Sequence, residues 1–213
     1  MLMSKKFFSF VCSLLIALTL ISLSVKFTLN FKQLYYFDID YLKISQESGF
    51  EKTAIIKDYN TLIDYLDPYN KSELKFNTFA MSREGKIHFE EVKAIFIKFN
   101  YLFWTCLVLG LASGFYLFKK RQFGFLKITA YLLLILPITL ALPFVIDFDK
   151  SFTIFHKLFF KNDYWLFDPV KDPIITVLPQ EFFFHCAVLI LVMLLILSII
   201  LLICYKKTKK QFS

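Results

Sequence analysis

Apolar residues gather in four long runs, and the polar residues fall between them. The runs cover about 7–25, 94–118, 123–146 and 182–204. Each meets the length needed for a membrane span, roughly twenty mostly apolar residues. SLLIALTLISLSV in the first and the uncharged AVLILVMLLILSIILLIC in the last have no place in a soluble core. The pattern therefore predicts an all-α integral membrane protein with four transmembrane helices. Pro137 and Pro143 are expected to kink the third.

Two polar connections remain, 26–93 and 147–181. In the first, TAIIKDYNTLIDYL (53–66) sets Ile55, Ile56, Tyr59, Leu62, Ile63 and Leu66 at helical spacing, and Asp67-Pro68 ends it. LKFNTFAMS (74–82) reads as extended, and Arg83-Glu84-Gly85-Lys86 as a turn. From Phe89 a helical pattern (Val92, Ile95, Phe96, Phe99) leads into the second run. The expectation is a small mixed extracellular cap after the first helix. The chain then divides into a tail and first helix (1–25), the cap (26–93), two helices with their turn (94–146), an aromatic segment (147–181), and the last helix and tail (182–213).

Charge sets the expected orientation. Lys5 and Lys6, then Lys119, Lys120, Arg121 and Lys127, then Lys206, Lys207, Lys209 and Lys210 lie in three pieces that hold no acidic residue. All 17 Asp and Glu lie in the other two connections. The positive-inside rule places the basic pieces and both termini in the cytoplasm, and the cap and aromatic segment outside. The formal charge of +8 is thus a topology signal and not a nucleic-acid footprint. The KK-plus-apolar start resembles a signal peptide but lacks a small-x-small cleavage site, so it reads as an uncleaved anchor. Cys12, Cys106, Cys186 and Cys204 all fall in predicted helices, which excludes a disulfide or a Cys-x-x-Cys motif in the outer connections. Asn70-Lys71-Ser72 is an isolated sequon.

The stretch 152–183, FTIFHKLFFKNDYWLFDPVKDPIITVLPQEFF, is too aromatic for a solvated loop and too polar for a span. It fits the headgroup level, where aromatic rings sit well. It carries His156. His88 precedes the second run by six residues, about 9 Å of helix, which puts both histidines at one depth. Imidazole titrates near neutral pH, so such a pair suits acid and base roles; the alternative is two interfacial side chains without chemistry. His185 reads as helix-end packing. No histidines are spaced as zinc ligands, and no serine sits in a nucleophile elbow. Asp163 and Asp168 are candidates to orient an imidazole, Asp168-Pro169 equally a turn. Tyr164 and Trp165 are substrate contacts or belt anchors.

FHKLFFKNDYWLFDPVKDPIITVLPQEFF, with KIHFEEVK upstream and four spans around them, resembles the lipoprotein intramolecular transacylases (Lit) of low-GC Gram-positive bacteria. The resemblance implies a multi-pass cell-membrane enzyme with a cap and an active site on the extracellular face. It implies two catalytic histidines, His88 and His156, in an aromatic pocket, with Arg83, Phe159, Asn162, Asp163, Tyr164, Trp165 and Asp168 as substrate-binding candidates. Where the family has Met, a variable residue and Asp after the first histidine, this chain has Phe89, Glu90 and Glu91. The implied reaction moves the sn-2 acyl chain of a lipoprotein's diacylglyceryl-cysteine to the α-amino group of that cysteine. The product is a lyso-form, N-acyl S-monoacylglyceryl lipoprotein. The implied partners are diacylglyceryl-modified bacterial lipoproteins and membrane lipid; no cofactor, metal or nucleic acid is implied. Which histidine is base stays open, with the nearby Asp163 and Asp168 favouring His156. The competing reading is a non-enzymatic four-helix membrane partner. A thiol oxidoreductase lacks its cysteines, and a transporter lacks mid-span ionisable groups.

Overall fold

The computed structural model describes residues 5–212. In chain order its helices are α1 (Lys5–Asn30), α2 (Lys32–Tyr41), α3 (Ile44–Ser48), α4 (Lys52–Leu66), α5 (Arg83–Lys119), α6 (Gly124–Ile146), α7 (Phe148–Phe159) and α8 (Gln180–Phe212), with a 3₁₀ turn at Pro173–Val177 before α8. Four of them, α1, α5, α6 and α8, are long and apolar enough to cross a membrane. The four hydrophobic runs lie in these helices, and the protein is a multi-pass membrane protein.

The chain forms two compact units. The first holds the chain up to Phe27, Phe99–Pro143 and the chain from Val188 onward. It packs through small side chains, as helices in lipid do. Gly110 and Gly114 of α5 let Ile16 of α1 approach, and a Cβ at either would lie 3.3 Å from that side chain. Ser13 donates to the Phe125 carbonyl at 3.1 Å, and Ser198 to that of Ala130 at 2.9 Å. Pro137 and Pro143 both lie inside α6.

The second unit, Thr28–Lys98 with Phe144–Ala187, carries the polar connections. Its core joins α2 and α4 to the 3₁₀ turn. The Tyr35 and Tyr59 rings stack at 3.8 Å, and the Tyr35 hydroxyl donates to the Val177 carbonyl at 2.5 Å. Ile39, Ile55 and Ile174 fill the space around them.

This unit corrects the expectation of a mixed cap: no strand exists among the described residues, and its regular elements are helical. Leu74 and Phe76 are buried and Lys75 exposed, which is strand-like alternation, but no second strand pairs with them. A side chain takes the place of the ladder. The carboxylate of Asp58, wholly buried on α4, accepts the backbone N–H of Asn77 (2.6 Å), Thr78 (2.7 Å) and Phe79 (3.0 Å). These amides are satisfied without a sheet.

A second correction concerns residues 83–86, which form the first turn of α5 instead of a reverse turn. Ser82 caps that helix: its hydroxyl accepts the Gly85 N–H at 2.9 Å. The buried Asp172 carboxylate in turn accepts the Ser82 N–H and hydroxyl, both at 2.7 Å. Gly85 permits this approach, since a Cβ there would lie 2.3 Å from Asp172 Oδ1. Helix α7 within the aromatic segment was not foreseen either. Asp147 starts it by accepting the Lys150 N–H at 3.0 Å.

Candidate active site

His88 stands on the second turn of α5, six residues after the Ser82 cap, and His156 on the last turn of α7. The second unit brings the two rings to 6.0 Å between centroids. Both are buried, at 6% and 9% exposure, so their neighbours decide their chemistry.

Those neighbours are aromatic. The Phe160 ring lies 4.8 Å from His88 and 5.5 Å from His156. Phe167 stands edge-on to His88 at 5.3 Å. Phe152 at 3.9 Å and Trp165 at 4.7 Å cover His156. No carboxylate pairs with either ring among the described residues. His156 Nδ1 lies 2.8 Å from the Phe152 carbonyl oxygen. A carbonyl only accepts, so Nδ1 carries the hydrogen and Nε2 keeps the lone pair. Burial lowers the His156 pKa from its ordinary value of 6.5, the Phe152 bond opposing this more weakly. Two rings this close in an apolar lining cannot both carry charge cheaply.

Three buried polar atoms of this region have no hydrogen-bond partner among the described residues: His88 Nδ1, Trp165 Nε1 and Glu91 Oε2. Buried polar atoms are normally satisfied, so each unsatisfied one calls for an explanation, a catalytic or ligand-binding role among them.

The other residues singled out from sequence fare unequally. Trp165 is buried against His156. Asn162 donates to Glu91 Oε1 at 2.8 Å, and its own oxygen accepts the Tyr164 N–H at 3.1 Å. Tyr164 is partly exposed. Phe159 is exposed and rests on Phe155 at 4.7 Å. Arg83 is exposed at the start of α5. Asp163 and Asp168 do not touch an imidazole. Asp163 accepts the Leu166 N–H through its backbone, and Asp168 makes a turn by accepting the Val170 N–H at 3.0 Å. The orienting group for His156 is the Phe152 carbonyl, four residues back on the same helix.

His185 belongs to a separate cluster on α8, where its Nδ1–H donates to the wholly buried Asp38 carboxylate at 2.8 Å. Sequence reading overlooked Phe160, Phe167 and Asp172; only their place in the aromatic motif marked them. Among the described residues no group of three His, Cys, Asp or Glu is arranged to hold a metal ion.

A family model described as "Lipoprotein intramolecular transacylase Lit" matches residues 10–183. Among solved structures, the chain is similar to the membrane integral lipoprotein intramolecular transacylase Lit from Bacillus cereus. Identity is 41%, coverage 98% of each chain, and the TM-score 0.93. Two variants of that protein, with one histidine replaced by arginine or by alanine, match with TM-scores of 0.90 at the same identity. The coverage is 97% of this chain and 92% of that one for the arginine variant, and 98% and 96% for the alanine variant. No curated protein matches. This chain belongs to the Lit lipoprotein intramolecular transacylase family.

Proposed function

We propose that His156 and His88 perform the proton transfers of this family's reaction, with His156 as base. The activity is that of an acyltransferase: the sn-2 acyl chain of a lipoprotein's diacylglyceryl-cysteine moves from oxygen to that residue's own α-nitrogen. The observation that carries the assignment of His156 is its tautomer. With Nδ1–H held by the Phe152 carbonyl, Nε2 is the basic atom.

The substrate amine has an ordinary pKa near 7.7–8.0 and must be unprotonated to attack. As its nitrogen bonds to the ester carbonyl carbon, it gives one proton to His156 Nε2. His156 passes that proton on to His88, and the glyceryl sn-2 oxygen takes it from His88 as its C–O bond to the carbonyl carbon breaks. The pair as a whole neither gains nor loses a proton, and both rings end neutral. Each such assist contributes about 10²–10⁴-fold. The carbonyl oxygen turns anionic in between. Trp165 Nε1–H is a buried donor with no other partner, and the proposal assigns it to that oxygen. No enzyme nucleophile is required, because both reacting groups belong to one molecule. Walls of Phe152, Phe160 and Phe167 would hold them together, and orientation of this kind is worth up to about 7–11 kcal/mol.

The proposal also includes topology: both termini cytoplasmic and the histidines on the extracellular side, supported by the all-basic pieces around Lys5, Arg121 and Lys207.

Intramolecular transfer is an isomerisation, so intact mass does not report it. The test is incubation of purified protein with a diacylglyceryl lipopeptide, followed by tandem mass spectrometry of the N-terminus. Wild type should yield the N-acyl fragment and lose the free amine. Folded His88→Ala and His156→Ala that convert substrate at the wild-type rate would sink the assignment.

A further inference from the structure

Glu91 lies one turn after His88 on α5, so the two side chains project from neighbouring positions of one helix face. Its two carboxylate oxygens differ. Oε1 accepts a hydrogen bond from Asn162 Nδ2 at 2.8 Å. Oε2 is buried without a partner, and no Lys, Arg or His among the described residues forms an ion pair with it. Asn162 is itself oriented, because its oxygen accepts the Tyr164 N–H. Asn162 follows by two residues Phe160, whose ring faces both histidines. The carboxylate is therefore held, on the helix face that carries His88, by a residue of the segment that carries Phe160, with one oxygen paired and the other not.

A buried, unpaired carboxylate oxygen is costly unless a cation or strong donor meets it. The substrate offers a single cation at its reacting end. Its ester, thioether and acyl chains bring no proton donor, but its α-amino group is an ammonium over most of the neutral range. We propose that Glu91 Oε2 receives the α-ammonium of the lipoprotein's N-terminal cysteine; one of its protons leaves to bulk water before the reaction, and the carboxylate keeps the remaining amine within reach of His156 Nε2. Asn162 acts as the positioning residue that aims Glu91. The inference rests on the transacylase reading and adds to it the group that selects a free amino terminus.

The test uses two lipopeptides that cannot react. In both, ether-linked alkyl chains replace the esters; one has an N-terminal cysteine, the other the des-amino 3-mercaptopropionyl group. Binding of each is measured at pH 6.5, where the amine is charged. Wild type should prefer the amine-bearing analogue by about ten- to a hundredfold, the range of a charge-assisted hydrogen bond. Glu91→Gln keeps an oxygen for Asn162 but removes the charge and puts an N–H donor in place of the second acceptor, so it should lose the preference for the amine, while Glu91→Asp retains part of it. A wild type without preference, or Glu91→Gln with the full preference, would overturn the proposal. Conversion of an ester lipopeptide by wild type is scored separately. Loss of that conversion would indict the transacylase reading, whereas a lost preference with intact conversion indicts Glu91 alone.

Discussion

Two histidine environments within the second unit differ in one respect that decides what each can do. His185 donates to a carboxylate, Asp38, which is wholly buried. Burial pushes the Asp38 carboxyl up, while the hydrogen bond and charge of His185 pull it back. His156 donates to a carbonyl and is enclosed by Phe and Trp rings. A carboxylate partner takes the ring's N–H in a charge-assisted hydrogen bond. A carbonyl partner fixes the tautomer and adds no net charge. The first arrangement suits a strut; the second leaves a neutral ring whose free nitrogen can take a proton. Residue type alone does not separate the two. The partner at Nδ1 does.

The largest effects should fall on the carbonyl-partnered side. His156→Ala and His88→Ala are each expected to slow transfer by about 10²–10⁴-fold in the lipopeptide assay. The double variant should be little slower than either single one, because both act on one proton path. Strictly additive losses would show that the two rings work independently. Trp165→Phe keeps the ring over His156 and removes its N–H. One lost oxyanion donor should lower kcat by about 10²–10³-fold; an unchanged kcat would return Trp165 to a packing role.

The carboxylate-partnered side should respond in stability instead. His185→Ala leaves the buried Asp38 without its donor, a cost of about 1–3 kcal/mol, readable as a lower unfolding temperature in detergent. Its kcat should stay within a few-fold of wild type. A loss as large as that of His156→Ala would erase the contrast between the two environments.

What the sequence disclosed, and what it withheld, follows from the range of the interactions. The four spans depend on local apolar density, so a run such as AVLILVMLLILSIILLIC needs no neighbour to be recognised. Helix α4 shows in the spacing of Ile55, Tyr59, Leu62 and Leu66 for the same reason. The start of α5 was misread because Gly85 looks like a turn residue. Its role is to admit Asp172, which is 90 residues from Ser82. The mixed cap failed likewise, because the acceptor for the amides of residues 77–79 is a side chain on α4 and not a strand. Asn162 and Glu91 are 71 residues apart. The sequence reading held Glu91 to be a departure from the family pattern; its unpaired oxygen is visible only once the fold is known. His156 was readable as a base candidate, but the argument from Asp163 and Asp168 was misdirected. The orienting group is a backbone carbonyl, which no side-chain motif announces.

The pH dependence sharpens the comparison further. Burial disfavours the protonated ring of His156, so its pKa in the folded protein lies below 6.5. The neutral base therefore persists as the pH falls to that value and is lost only below it. In kcat, read at saturating substrate, the acid limb attributable to the base should have its midpoint below 6.5. In kcat/KM the free substrate amine adds its own ionisation near 7.7–8.0, so that limb lies higher. An acid limb in kcat centred above 7 that persists in Glu91→Gln would mean that the base is stabilised as a cation; one that disappears there belongs to the bound α-ammonium.

The smallest effect is expected at Arg83. It is exposed at the start of α5, where a single solvated charge contributes little. Arg83→Ala should leave the unfolding temperature and kcat unchanged and raise KM by about fivefold or less, an increase that salt suppresses. The measurement is a KM series at two ionic strengths. A larger, salt-insensitive rise would place Arg83 in desolvated contact with the lipoprotein and extend the substrate-binding surface from the buried histidines to the exposed end of the helix that carries His88.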